Sequence, residues 1–336
     1  VRVDLTPGYS ISRVIKGGWQ LALGHSNVPP REEAHHDMAA YVDAGLTTFD
    51  CADIYTGVEE LIGSFTPKPN QSVQVHTKYV PDLATLETVD FAVTRAIIER
   101  SRRRLQRVSL DLVQFHWWDY SVDRYVETAL GLERLREEGA LRQIGVTNFD
   151  TPHLKQLLDA GVRVLSHQVQ YSLLDRRPAA TMAALCAERN IHFLCYGSVL
   201  GGFLSERWLG VREPKGQLEN RSLTKYKLII DEALGWEGFQ ALLESLRAIA
   251  LRHETSIGAI GIAWVLRQPL VAAAIVGARN ASHLEETLKA LRVHLEPEDL
   301  LVLDSACGPG ISGDVYELER DRGGPHGRIM KYDLNR

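Results

Sequence analysis

The stretch LDLVQFHWWDYSVDRYVETALGLERLREEGALRQIGVT, residues 110–147, holds one strand–helix–strand unit. Leu110–His116 and Leu141–Thr147 read as short strands, and Arg124–Glu138 between them carries helical periodicity closed by Gly139. The same unit recurs outward in both directions. Further strands are expected at Val14–Trp19, Leu46–Asp50, Val73–Lys78, Val164–Val169, Ile191–Tyr196 and Val271–Val276. Most are nearly all apolar, as strands buried on both faces should be. Amphipathic helices are expected at Glu32–Ala44, Thr88–Leu105, Pro152–Ala160, Pro178–Asn190, Glu237–His253 and Ala281–Leu291, with Gly45, Gly161 and Gly277 at further joins. Eight strands alternating with helices specify an α/β chain, either an open doubly wound sheet or a closed barrel. An open dinucleotide-binding sheet should carry G-x-G-x-x-G after an early strand, and Gly17-Gly18-Trp19 does not continue that way. The count of eight favours a (β/α)8 TIM barrel.

The expected organisation is one domain over residues 1–336, with the barrel at about 14–306 and a C-terminal extension at 307–336. Gly197–Trp236, after strand seven, is long and mixed, and Cys307–Arg336 is rich in glycine and charge. Segments this long outside the alternation are commonly functional. The tail is expected to border the barrel mouth and shape substrate selection.

Composition narrows the partners. The net charge is −5 with no basic stripe, which argues against nucleic acid. Arg102-Arg103-Arg104 falls at a helix C-terminus, where cations complement the dipole. Cys51, Cys186, Cys195 and Cys307 have neither metal nor redox spacing and read as free thiols of a reducing, cytoplasmic setting. No apolar run reaches membrane-spanning length. Small-molecule chemistry remains, and no oligomeric state is predicted.

In a barrel, function gathers at the C-terminal ends of the strands. Strand two ends at Asp50, strand three at Lys78 and strand four at His116, and Tyr55 follows Asp50 by a short loop. Carbonyl reduction needs a hydride and a proton. A phenol with a pKa near 10 exchanges protons poorly at neutrality, and a neighbouring ammonium lowers that value. Lys78 can supply the ammonium, Asp50 can fix it, His116 can orient the carbonyl oxygen, and Tyr55 then serves as general acid or base.

These residues lie in segments that resemble the aldo-keto reductases. They are Gly45-Leu-Thr-Thr-Phe-Asp50-Cys-Ala-Asp53-Ile-Tyr55, Thr77-Lys78, Asp111-Leu-Val-Gln-Phe-His116-Trp117, Gly145-Val-Thr-Asn148-Phe, Gln168-Val-Gln-Tyr171 and Ile275-Val-Gly277-Ala-Arg279-Asn280. They follow the family order over residues 14 to 292. The resemblance implies a catalytic tetrad of Asp50, Tyr55, Lys78 and His116. It implies that Thr147, Asn148 and Gln168 hold the nicotinamide carboxamide and that Tyr196 stacks on its ring. Ser198, Leu200 and Gly202 would follow the pyrophosphate. Gly277 and Arg279 would meet the 2′-phosphate, favouring NADP(H) over NAD(H), and His283 and Glu286 would lie by the adenine. Three departures stand out: His283 stands where the family often has Gln, Tyr55-Thr56-Gly57 replaces the usual Tyr-Gly, and Gly197-Ser198-Val199-Leu200 replaces Ser-Pro-Leu. Trp19 and Trp117 are the expected aromatic walls of the substrate pocket.

The implied activity is NADP(H)-dependent interconversion of an aldehyde or ketone, sugars included, with its alcohol. The alternative is a nucleotide-binding regulatory subunit resembling potassium-channel β subunits, which share the fold. A metal-dependent hydrolase built on Asp50, His76 and His116 is disfavoured and no metal is expected. Strand one ends Lys16-Gly17-Gly18-Trp19 rather than H-x-H, and His35-His36 would point to different faces of a helix.

Overall fold

The structure, a computed structural model, describes residues 1–24 and 28–335. It opens with a feature the periodicity did not reveal, an antiparallel hairpin of β1 (Arg2–Thr6) and β2 (Tyr9–Ser12). The hairpin closes the floor of the barrel. Leu5, Tyr9 and Ile11 pack onto Ile15, Leu112, Leu194, Ala273 and Ile275, and the Tyr9 hydroxyl meets His76 Nε2 at 3.1 Å.

The alternation then runs β3 (Val14–Gly17), α1 (Arg31–Asp43), β4 (Thr48–Asp50), α2 (Val58–Gly63), β5 (Gln74–Tyr79) and α3 (Phe91–Leu105). It continues through β6 (Leu110–Phe115), α4 (Tyr125–Glu137), β7 (Leu141–Thr147), α5 (Thr151–Asp159), β8 (Val164–Gln170), α6 (Thr181–Arg189) and β9 (His192–Tyr196). After β9 come α7 (Arg221–Ala233), α8 (Gly235–Arg252) and α9 (Ile257–Arg267), then β10 (Val271–Gly277), α10 (Leu284–Ala290) and α11 (Pro297–Cys307). The tail adds two single turns, α12 (Glu317–Arg320) and α13 (Pro325–Arg328). Strands β3 to β10 form a closed parallel barrel in which β10 lies beside β3. Each expected barrel strand is present, with ends shifted by up to two residues.

Local chemistry sets the helix starts. Asp90 caps α3 by accepting from Val93 N, and Asp150 caps α5 from His153 N. Glu296 and Asp299 form a reciprocal capping box ahead of Pro297 in α11. Arg102, Arg103 and Arg104 occupy the last turn of α3, as expected.

The helices that periodicity missed have physical reasons. In α9, eight of the residues Ile257–Arg267 are buried, so it lacks a polar face to mark its period. Helix α7 starts inside the stretch read as a mixed loop, where Asn220 accepts from Leu223 N. Among the described residues, no helix is long and apolar enough to cross a membrane.

Candidate active site

Alternation along each strand puts every second side chain inside the barrel. Asp50 ends β4, Lys78 lies near the end of β5, Gln114 belongs to β6 and Gln168 to β8, and their side chains meet at the upper end of the barrel. Lys78 Nζ donates to Asp50 Oδ2 at 2.6 Å and to the Cys51 carbonyl at 2.8 Å. The other Asp50 oxygen accepts from Gln168 Nε2 at 2.7 Å and Gln114 Nε2 at 3.0 Å. The carboxylate is thus held by a cation and two amides, the condition under which a buried charge is tolerated.

The Lys78 ammonium lies 4.9 Å from the Tyr55 ring centroid, close enough for its charge to act on the phenol. An ammonium has three protons, and two of them go to Asp50 and the Cys51 carbonyl. Burial works to lower the Lys78 pKa, but Asp50 and Tyr55 outweigh it and hold it above its ordinary value. Burial raises the Tyr55 pKa and Lys78 pulls against it, with the net result above the ordinary value. The sequence led us to expect a lowered phenol pKa. The ammonium acts in that direction, but desolvation is larger.

His116 is the fourth member. Its Nδ1 stands 2.9 Å from the Thr147 carbonyl, which only accepts, so Nδ1 carries the proton. Burial lowers its pKa to about 4, and Arg320 adds to the effect. The ring is therefore neutral near pH 7 and its buried Nε2 is a bare acceptor with no protein partner. In this ring orientation His116 can receive a hydrogen bond from an alcohol, but it cannot donate one to a carbonyl oxygen, which differs from the role expected of it.

The residues expected to hold a nicotinamide cofactor surround this group. Thr147 Oγ1 donates to the Gln168 carbonyl at 3.2 Å. Both amide protons of Gln168 are engaged, on Asp50 and on Gln114 Oε1, so a carboxamide can meet it only by donating to its Oε1. Asn148 is in the left-handed region at φ 59°, and its Oδ1 accepts from the Tyr196 hydroxyl at 2.9 Å. That orients its amide nitrogen as the complementary donor. The Ser198 hydroxyl is buried with no protein partner. Leu200 and Gly202 shape a 3-10 turn with φ of 48° and 102°. A cradle with an orphaned hydroxyl suits a phosphate or an amide. At the other end of the groove Gly277 closes β10, and Arg279 is 53% exposed, its guanidinium 3.9 Å from Glu219. His283 precedes α10, and Glu286 is paired with Lys289 at 3.0 Å.

Of the two expected pocket aromatics, Trp19 lies beside Tyr55, with ring centroids 4.8 Å apart and its indole nitrogen donating to Ser222 Oγ. Trp117 points elsewhere. It is 1% exposed, packs against Phe115 and donates to the carbonyls of Asp119 and Val122. Its neighbour Trp118 stands edge-on to His116 at 4.3 Å instead, because successive residues at a strand end face opposite ways.

The mouth also contains residues the sequence reading did not single out. Tyr316 from the tail lies edge-on to His116 at 5.5 Å, and Tyr332 edge-on to Trp118 at 5.1 Å. Tail helix α12 is anchored by Arg177, which is bidentate to Asp175 and also holds Glu319 at 2.7 Å, all fully buried. Lys225 of α7 lies 3.5 Å from Glu319 and 5.1 Å from the Tyr196 ring centroid. Tyr226 rests on the β9 loop so closely that a Cβ on Gly201 would stand 2.5 Å from its ring. Helix α7 and the tail thus meet over Tyr196, closing down to a narrow crevice lined by Asn148, Gln170, Arg177, Tyr196, Val315 and Tyr316. These contacts have no local signature along the chain, since Arg177 and Glu319 are 142 positions apart.

Comparison with known proteins agrees with this architecture. The chain is 26% identical to a protein of Glycine max described as probable aldo-keto reductase 1, over 93% of this chain and 90% of that one. It is 24% identical to the NADH-specific methylglyoxal reductase of Escherichia coli (strain K12), over 89% and 95% of the two chains. The solved structure of a glycerol dehydrogenase from Gluconobacter oxydans superposes with a TM-score of 0.77 at 24% identity, covering 90% of this chain and 94% of that one. The Aldo/keto reductase family model matches residues 13–307. By fold, by strand-end chemistry and by this match across most of its length, the chain belongs to the aldo/keto reductase family, oxidoreductases that use nicotinamide cofactors.

Proposed function

We propose that this protein is an NADP(H)-dependent oxidoreductase that interconverts an aldehyde or ketone with its alcohol, with Tyr55 as the proton donor and acceptor. One observation carries the reading. The Lys78 ammonium, fixed by Asp50 and the Cys51 carbonyl, lies 4.9 Å from the Tyr55 ring centroid, where it can stabilise the phenolate left when Tyr55 gives up its proton. The bound nicotinamide supplies or receives the hydride. Tyr55 gives its proton to the oxygen as negative charge develops there, and Lys78 stabilises the phenolate that remains. Asp50, held by Gln114 and Gln168, keeps the ammonium in place. His116 Nε2 receives the hydrogen bond of the alcohol, so it favours the product of reduction or the substrate of oxidation over the carbonyl. Trp19, Trp118, Tyr316 and Tyr332 supply apolar walls for the rest of the molecule.

The coenzyme preference rests on Arg279, whose forked donors suit a 2′-phosphate. Asn148 and Gln168 offer a donor and an acceptor matched to the carboxamide, and Ser198 offers a hydroxyl to the pyrophosphate. We read residues 14–306 as the barrel unit and the tail as its substrate-side wall.

The test is steady-state oxidation of NADPH and NADH with aldehydes and ketones, methylglyoxal and sugars included, together with the reverse reaction on the alcohols. Turnover that prefers NADPH is the expected result. Tight nucleotide binding with no turnover on any substrate would overturn the enzymatic reading and favour a regulatory nucleotide-binding role.

A further inference from the structure

Lys16 lies near the end of β3 with its side chain outside the barrel wall, remote from the Tyr55 group. It is 3% exposed and, with Lys78, one of the two buried lysines among the described residues; the proposed reaction does not use it. Its ammonium donates to the Ala278 carbonyl at 3.2 Å and lies 5.2 Å from the Tyr41 ring centroid on α1. Burial lowers its pKa to about 8, and Asp37, also on α1, works in the opposite direction. At neutral pH it is therefore still a cation, and the bond to Ala278 is charge-assisted. Asp37 makes a second contact on the same loop, where its Oδ1 accepts from Ala281 N at 3.1 Å.

The two contacts bracket two residues, Arg279 and Asn280. Ala278 is held on one side and Ala281 on the other, while Arg279 between them points to solvent. A buried ammonium is costly to desolvate, and a loop after a strand needs no such group merely to turn.

We propose that Lys16 and Asp37 are positioning residues for coenzyme discrimination, clamping the 278–281 loop so that the Arg279 guanidinium is presented to the adenosine 2′-phosphate. The proposal rests on the reading of Arg279 given above. Neither residue touches the coenzyme. They act by fixing the backbone on both sides of the side chain that meets the 2′-phosphate, so that less freedom is lost when the phosphate is bound.

The experiment measures dissociation constants of NADPH and NADH by fluorescence titration for the parent, Lys16→Met, Arg279→Ala and the double variant. Lys16→Met replaces a buried ammonium by an unbranched apolar side chain of similar length, and a melting curve checks the fold. We expect Lys16→Met to lower the NADPH-over-NADH affinity ratio by about three- to tenfold, with NADH itself changed by less than about twofold. In the Arg279→Ala background the same substitution should leave the ratio unchanged, because the group being positioned is gone. If Lys16→Met does not fold, Asp37→Ala severs the other end of the clamp and should shift the ratio in the same direction. The proposal is overturned if the ratio survives Lys16→Met while Arg279→Ala collapses it. Equal weakening of both coenzymes, or a shift that persists without Arg279, overturns it too. If Arg279→Ala leaves the ratio intact, the phosphate reading of Arg279 fails first and the clamp falls with it.

Discussion

Two buried ion pairs flank the barrel mouth, and they are built very differently. Lys78 and Asp50 sit inside the barrel at the ends of adjacent strands, 28 positions apart. Arg177 and Glu319 sit outside it, where the chain after β8 meets the tail, 142 positions apart. Each cation is bound by a carboxylate and by further acceptors, so each meets the requirement for burial. In the proposed reaction the inner pair holds an ammonium against a phenol and serves proton transfer. The outer pair holds a segment against the mouth and serves enclosure. On that reading the same chemistry is catalytic in one place and architectural in the other because of what the cation faces: a phenol in the first case, a second carboxylate in the other.

The contrast breaks most directly at Tyr55. Tyr55→Phe should reduce turnover by about 10²- to 10⁴-fold and leave coenzyme affinity and melting temperature nearly unchanged, measured on the purified variant. Near-normal turnover would remove the inner pair from the chemistry and make it structural like the outer one.

Next in size is Glu319→Gln. It leaves Arg177 with Asp175 alone and should cost about 3 kcal/mol in docking of the tail. Amide exchange should accelerate in residues 315–335 while strand β5 keeps its protection. Simultaneous loss in both regions would show that barrel and tail open as one unit.

Acid should sharpen the same division. Burial lowers the pKa of His76 and His167 to about 3 and of His116 to about 4. The folded form therefore binds fewer protons than the unfolded chain below pH 6.5. Stability should be complete above that value and fall as pH drops toward 4 and then 3, by up to about 1.4 kcal/mol per pH unit for each histidine. Glu319 is lowered to about 2, after burial is offset by Lys225 and Arg177. Its contribution is intact above about pH 4.5 and is lost only as pH falls through about 2. Denaturant melts at pH 7 and 5.5, read beside tail exchange at both, should show the barrel weakening before the tail contact does. A flat barrel stability over that interval would contradict the neutral histidines.

The smallest effect concerns Glu219, whose carboxylate faces Arg279 at 3.9 Å with both groups about half exposed. Such pairs are worth at most about 1 kcal/mol. Glu219→Gln should tighten NADPH by no more than about fivefold at low salt and leave NADH unchanged. No change for either coenzyme at low salt would mean that Glu219 does not compete for the guanidinium.

How far the molecule could be read from its sequence follows the same line. The barrel strands were legible because burial on both faces writes them as apolar runs. Asp50, Lys78 and His116 were legible because they stand at strand ends, where a charged residue interrupts such a run. The acceptor state of His116 was not, since it depends on where the Thr147 carbonyl points. Trp117 and Trp118 differ by one position, and only the turn of the chain after β6 decides which faces the mouth. Helix α9 was lost because it is buried nearly all round, and α7 because it begins within a loop-like stretch. The clamp on the 278–281 loop joins α1 to residues more than two hundred positions later, a relation that only the closed barrel creates.

That closure has a consequence for how the protein is made. The seam joins Val14 to Ala274, so the first barrel strand lies beside the last. At synthesis rates of about 5–20 residues per second, β3 waits on the order of ten to fifty seconds for its second neighbour. During that interval a growing, open sheet presents strand edges that invite pairing with other chains. Asp50 and Lys78 are made early but lack Gln168 until three more strands have followed. The walls carrying Tyr316 and Tyr332 arrive later still. A chain interrupted before β10 is therefore more than inactive: it is an unclosed sheet with unpaired edges and its inner face uncovered, a substrate for chaperones and proteases.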